Sequence, residues 1–136
     1  MSIDDKTVRK FKRIRISLMR HKKFLELGPV MMIGKRDLDM SVPTACTNGR
    51  DEQYNPEFIF QWGDKEAGFI IIHENMHKAA RHLDIYVMLH KIDPKITNMA
   101  CDYWINQKIV DADSQEEIVA MPRDKDGKHI GCLDPK

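Results

Sequence analysis

Two histidines and a glutamate, His73, Glu74 and His77, follow directly on the run Ile70-Ile71-Ile72. On an α-helix His73 and His77 lie about 40° apart and one turn from each other, so both imidazoles can reach a single ion. A histidine pair at this spacing suits Zn²⁺, and a glutamate beside the first histidine is placed to take the proton of an attacking water. Phe69, Ile72, Met76, Ala79, Ala80 and Leu83 cluster on a neighbouring arc, which sets the histidines at the border between core and surface, with Glu74 beyond them. The plainer alternative is an amphipathic helix with two border histidines. The isoleucines count against it, because they predict the buried helix that a metal motif needs.

A zinc site needs a third protein ligand, for which His82, Asp84 and Asp102 are available. On a continuous helix His82 points about 180° away from His73, and no glycine intervenes to turn the chain back. Asp84 returns to the ligand face but lies about 10 Å further along the axis. Asp102 comes from a separate helix, where Asn98, Asp102 and Asn106 line up at four-residue spacing on the side of Ile105 and Ile109. An aspartate on an inward face is costly unless it is paired with a cation or bound to a metal. The expected ligands are therefore His73, His77 and Asp102, with water fourth. Asn98, Asn106 and His82 are candidates for the surrounding hydrogen-bond shell. His82 as a fourth protein ligand would instead close the site and make it structural.

The elements that must position these residues follow from periodicity and breakers. Val8, Phe11, Ile14, Leu18 and Leu25 predict an amphipathic helix over about 4–27, capped at Asp4 or Asp5 and stopped by Gly28-Pro29. Val30–Ile33 reads as a short buried strand. Ser41–Thr47 reads as a strand entering a turn at Asn48-Gly49, with Tyr54–Phe60 as its return. Gly63-Asp64 starts the histidine helix, running to about His82. Asp93-Pro94 starts the next, running to about Val110, with Thr97, Trp104, Gln107, Lys108 and Asp111 facing solvent. The remainder, 112–136, is turn-rich and irregular. The class is α+β, with a small antiparallel sheet packed on the two ligand-bearing helices, in a single domain over 1–136.

Composition narrows the function classes. With 42% hydrophobic and 32% charged residues the chain is ordinary for a globular protein, and no apolar run approaches a membrane span. The acidic start Met-Ser-Ile-Asp-Asp does not read as a signal peptide, which points to the cytoplasm. Cys46, Cys101 and Cys132 are scattered and form no pair, so metal chemistry falls to histidine and carboxylate. The block Arg9, Lys10, Lys12, Arg13, Arg15, Arg20 and Lys22 reads first as the solvated face of the opening helix. Nucleic-acid binding through that face, with a merely structural zinc, is the less favoured reading of the protein.

Three blocks in order carry a resemblance: Thr44–Arg50 with Tyr54–Phe58, then His73–His77 with His82, then Asn98–Asn106. Together they resemble the zinc-metallopeptidase domain often found ahead of a von Willebrand factor A-like domain in bacterial and phage proteins. The resemblance spans roughly Thr44 to the C-terminus and implies a zincin-like fold, a zinc ion and hydrolysis of a peptide or protein substrate. Asn48 stands where that family usually has Asp, and Lys78 and Arg81 add charge to the motif helix. No von Willebrand-like domain follows, so the chain reads as a minimal version of the domain or a truncated one.

The ligand assignment predicts that Asp102→Ala loses most of its zinc affinity and that His82→Ala keeps it, as read by competitive zinc titration. The reverse order would place His82 on the metal.

Overall fold

The computed structural model describes residues 3–80 and 87–123. Helix α1 (Asp5–Arg20) begins where the Asp4 carboxylate accepts from the Thr7 amide at 2.7 Å, and it buries Phe11, Ile14 and Leu18. It ends about two turns before the expected Gly28-Pro29. His21 leaves the helical region at ψ 134°, and its ring accepts from the Lys23 amide to open a 3₁₀ segment, Lys22–Leu27. Gly28-Pro29 starts helix α2 (Gly28–Met31), with proline in the first turn where no amide is missed. The strand expected at Val30–Ile33 is therefore absent. Met31 is fully buried while Met32 and Ile33 are exposed, an asymmetry that suits a helical turn.

Three short strands follow: β1 (Arg36–Leu38), β2 (Ala45–Thr47) and β3 (Glu52–Tyr54). The β2–β3 hairpin forms at the predicted Asn48-Gly49 turn, where Asn48 Oδ1 accepts from the amides of Arg50 and Asp51 and Gly49 takes φ +94°. The sheet is mixed, not antiparallel, because β1 pairs with β3 in parallel and makes it the central strand. Such a three-residue, half-exposed strand leaves little periodicity to read. Its entry depends on Gly34 at φ +72°, where a Cβ would lie 2.1 Å from the Arg50 carbonyl oxygen. The return strand is Glu52–Tyr54, so it ends where the expected strand, Tyr54–Phe60, begins. Asn55 accepts from the amides of Glu57 and Phe58 and caps a helical turn, α3 (Pro56–Ile59), which buries Ile59.

Helix α4 (Asp64–Ala80) is the centre of the molecule, flanked by α1, by β2 and by the last long helix. From Ala67 to Asn75 every residue is buried, so the expected amphipathic arc is replaced by an all-round core helix; Ala79 of that arc is exposed. Helix α5 (Val87–Ile92) leads to α6 (Pro94–Ala112), capped by Asp93 as predicted and buried through Cys101, Ile105 and Ile109. Thr97, expected on the solvent face, is buried and donates to the Asp93 carbonyl. Residues 113–122 then form no helix or strand, yet Val119, Ala120 and Met121 join the core beside α4. Among the described residues, no helix is long and apolar enough to cross a membrane.

Asp113 ties this last segment down. Its fully buried carboxylate accepts from Lys23 Nζ at 2.9 Å and from the amides of Glu117, Ile118 and Val119. Burial raises its pKa, but those four donors outweigh burial and hold it far below the usual carboxylate range. A lowered folded-state value means that the stabilisation is complete above the unfolded value of about 3.9 and is lost as pH falls below it. Asp113→Ala should destabilise the fold by about 3 kcal/mol at neutral pH, as read by urea denaturation. That deficit should shrink as pH falls from about 4.

Candidate metal centre

α4 and α6 bring three ligand atoms to one point. Nε2 of His73 and Nε2 of His77 each lie 3.0 Å from Asp102 Oδ1, and they lie 3.2 Å from each other. A tetrahedral zinc with ligand arms of about 2 Å has ligand–ligand edges of about 3.3 Å, so the triangle has the size of one face of that tetrahedron. Protons alone satisfy it poorly. Each Nε2 can direct a single N–H at one neighbour, leaving at least one short contact between like-signed atoms. A cation shared by all three lone-pair sites removes the conflict.

The tautomer of His73 supports this reading. Its Nδ1 lies 2.7 Å from the side-chain oxygen of the fully buried Asn106, a group that only accepts. In the neutral ring the proton therefore sits on Nδ1, and Nε2 turns a lone pair toward His77 and Asp102. Asn106, at the end of the four-residue row on α6, is thus turned toward the His73 ring. Asn98 does not face inward: two turns earlier on α6 it is exposed, because the four-residue row drifts by about 40° per step around the helix. His82 and Asp84 lie outside the described residues. His73 and Asp102 are nearly buried at the side chain, and His77 is about one-fifth exposed, which leaves an approach from solvent.

Burial opposes a charged imidazole at His73, but the bonded Asp102 carboxylate, aided by the charge of Glu74, raises its pKa above the ordinary histidine value. Glu74 is itself buried, at 8% exposure. Burial pushes its pKa up, while His73 and His77 pull it down. Its charge also reaches the β2 strand, where burial and then Glu74 raise the pKa of the Cys46 thiol. α4, which carries Glu74, packs against β2 at the edge of the sheet.

Behind the histidines is a buried polar cluster that sequence reasoning did not foresee. The Glu52 carboxylate accepts from Tyr54 OH at 2.6 Å, from Asn75 Nδ2 at 2.9 Å and from Lys78 Nζ at 2.7 Å. Lys78 also donates to the Ile33 carbonyl, and Asn75 to that of Ile71. The side chain of Glu52 is fully buried and that of Lys78 is 1% exposed. Asn75 and Lys78 sit within two residues of the histidines, so the cluster grips α4 beside the triangle. The signal in the sequence was Lys78 itself, an unexpected charge on a helix predicted to be buried.

The chain matches the family described as "Putative metallopeptidase domain" over residues 18–125. This match covers most of the chain, which therefore belongs to that family of metallopeptidase-like domains. No curated protein and no solved structure matches it.

Lys78→Met should cost about 3–5 kcal/mol of stability, because the buried Glu52 would lose the ammonium at 2.7 Å and keep only the Arg36 guanidinium at 3.9 Å as a cationic neighbour. Neutralising both, with Glu52→Gln added, should recover a large part of that loss in the same urea titration. Equal stability of parent and single variant would mean that the pair does not hold α4.

Proposed function

We propose that the protein is a zinc-dependent metallopeptidase with a zincin-like fold, in which His73, His77 and Asp102 hold the ion and Glu74 is the general base. The triangle of two imidazole nitrogens and one carboxylate oxygen, with edges of 3.0–3.2 Å, carries this reading. The donor set supports zinc over harder cations, since two neutral nitrogens and one carboxylate suit a borderline-soft metal, whereas magnesium and calcium favour all-oxygen sites. Three protein ligands also leave a position open, as in catalytic sites. When bound there, Zn²⁺ supplies Lewis acidity that makes water nucleophilic at neutral pH and stabilises the developing oxyanion.

The chain's own residues supply the remainder. Asn106 holds the neutral His73 ring in the tautomer with its proton on Nδ1, which leaves the Nε2 lone pair for the metal. Glu74, walled from bulk water, accepts the proton of the attacking water and returns it to the leaving amine. Strand β2 lies at the sheet edge beside α4, so its outer side offers backbone donors and acceptors to an extended peptide. A folded substrate could not pair in this way; an unstructured segment could.

Glu74→Gln should keep its zinc while cleavage of unstructured peptides, followed by mass spectrometry, falls at least about 100-fold. Loss of zinc, or cleavage at the parental rate, would remove Glu74 from the role of base.

A further inference from the structure

The outward face of α1 plays no part in the metal centre. This helix holds seven basic residues against the single acid Asp5, while the chain as a whole has a net charge of only +1. The remainder is thus net acidic, and the positive charge is gathered on one element. Arg15 turns inward to donate to the Met31 carbonyl. Lys6, Arg9, Lys10, Arg13 and Arg20 instead fall in a stripe about 100° wide, on the side away from Phe11, Ile14 and Leu18. The stripe runs about 21 Å along the helix. Its first four residues line, with Asp64, an open groove of about 610 Å³.

Internal ion pairs leave most of this charge unspent. Asp64 lies 3.4 Å from Lys10 and 3.5 Å from Arg13, both contacts well exposed. Among the described residues Lys6, Arg9 and Arg20 have no ion partner.

We propose that this stripe docks the phosphate backbone of duplex nucleic acid. A duplex carries one charge per about 1.7 Å of axis, so a straight 21 Å row of cations meets a dense, rigid array of anions. Three of the five cations are arginines, whose planar forks match phosphate oxygens. A membrane surface fits less well, because the apolar face of α1 is spent in the core and cannot insert. A single strand fits less well too, since it needs free aromatic faces on which bases stack. Here Lys10 covers the Phe60 ring at 4.6 Å, and Trp62 packs edge-on against Phe58. Contacts confined to phosphates carry no sequence preference. The groove abuts Asp64, the first residue of α4, so a docked duplex would lie at the far end of the helix that bears the histidines.

Fluorescence anisotropy of a labelled duplex DNA two helical turns long, titrated with the whole protein between about 50 and 200 mM salt, tests this. Four to five phosphate contacts predict that log K falls against log salt with a slope of about −4. The variant Lys6→Gln/Arg9→Gln/Arg13→Gln/Arg20→Gln should flatten that slope and weaken binding at about 50 mM salt more than tenfold, with an unchanged melting temperature. Arg9→Lys/Arg13→Lys/Arg20→Lys should retain most of the slope. Four results would overturn the proposal: no binding at about 50 mM salt, a slope unchanged in the glutamine variant, tighter binding of the same sequence as a single strand, or equal binding of polyglutamate or anionic vesicles.

Discussion

A carboxylate with no exposure to water must find all of its compensation inside the protein, and Glu52 is such a group. Its partners are Tyr54 on its own strand, Arg36 on β1 at 3.9 Å, and Asn75 and Lys78 on α4, with Lys78 also bonded to the turn after α2. Each of those contacts has one geometry. Together they fix both the rotation of α4 about its axis and its position along it, which apolar packing alone does poorly for a helix buried on every side. A rotation of α4 that kept Ile70–Ile72 in the core would break the Glu52 contacts. The histidines on the adjoining positions inherit that precision.

The triangle at the other face of α4 depends on it. Three ligand atoms within hydrogen-bond distance of one another make a crowded arrangement of lone pairs, one that persists only if the supporting helices hold still or a cation sits among them. α6 contributes twice, through Asp102 at the triangle and through Asn106 one turn further on, which sets the His73 tautomer. Those two residues share one face with Ile105 and Ile109, so the same packing that joins α6 to α4 delivers both polar groups. Asp113, past the end of α6, then anchors the following segment against the 3₁₀ turn.

The distribution of charge follows the same division. The acidic groups with structural work, Glu52 and Asp113, are withdrawn into the protein and matched there by lysine or backbone donors. The exposed basic row of α1 has few internal partners. Charges that stabilise the fold are inside and paired, while the unpaired ones face outward where a partner can meet them.

The sequence by itself determined the features that rest on local chemistry. The one-turn spacing of His73 and His77, the caps at Asp4 and Asp93, the Asn48-Gly49 turn and the inward aspartate on a second helix are all read from neighbouring residues, and the structure has each of them. Tertiary structure decided what depends on partners far along the chain. Val30–Ile33 became a helical turn because Met31 alone found a buried site, and β1 pairs in parallel with a strand that a short sequence pattern cannot choose for it. Asn98 went to solvent while Asn106 was buried, since only the second lies where α6 meets α4. The Glu52 cluster left a single local sign, a lysine out of place. Pairing a buried charge needs a partner from another element, and periodicity along one segment carries no information about which element that will be.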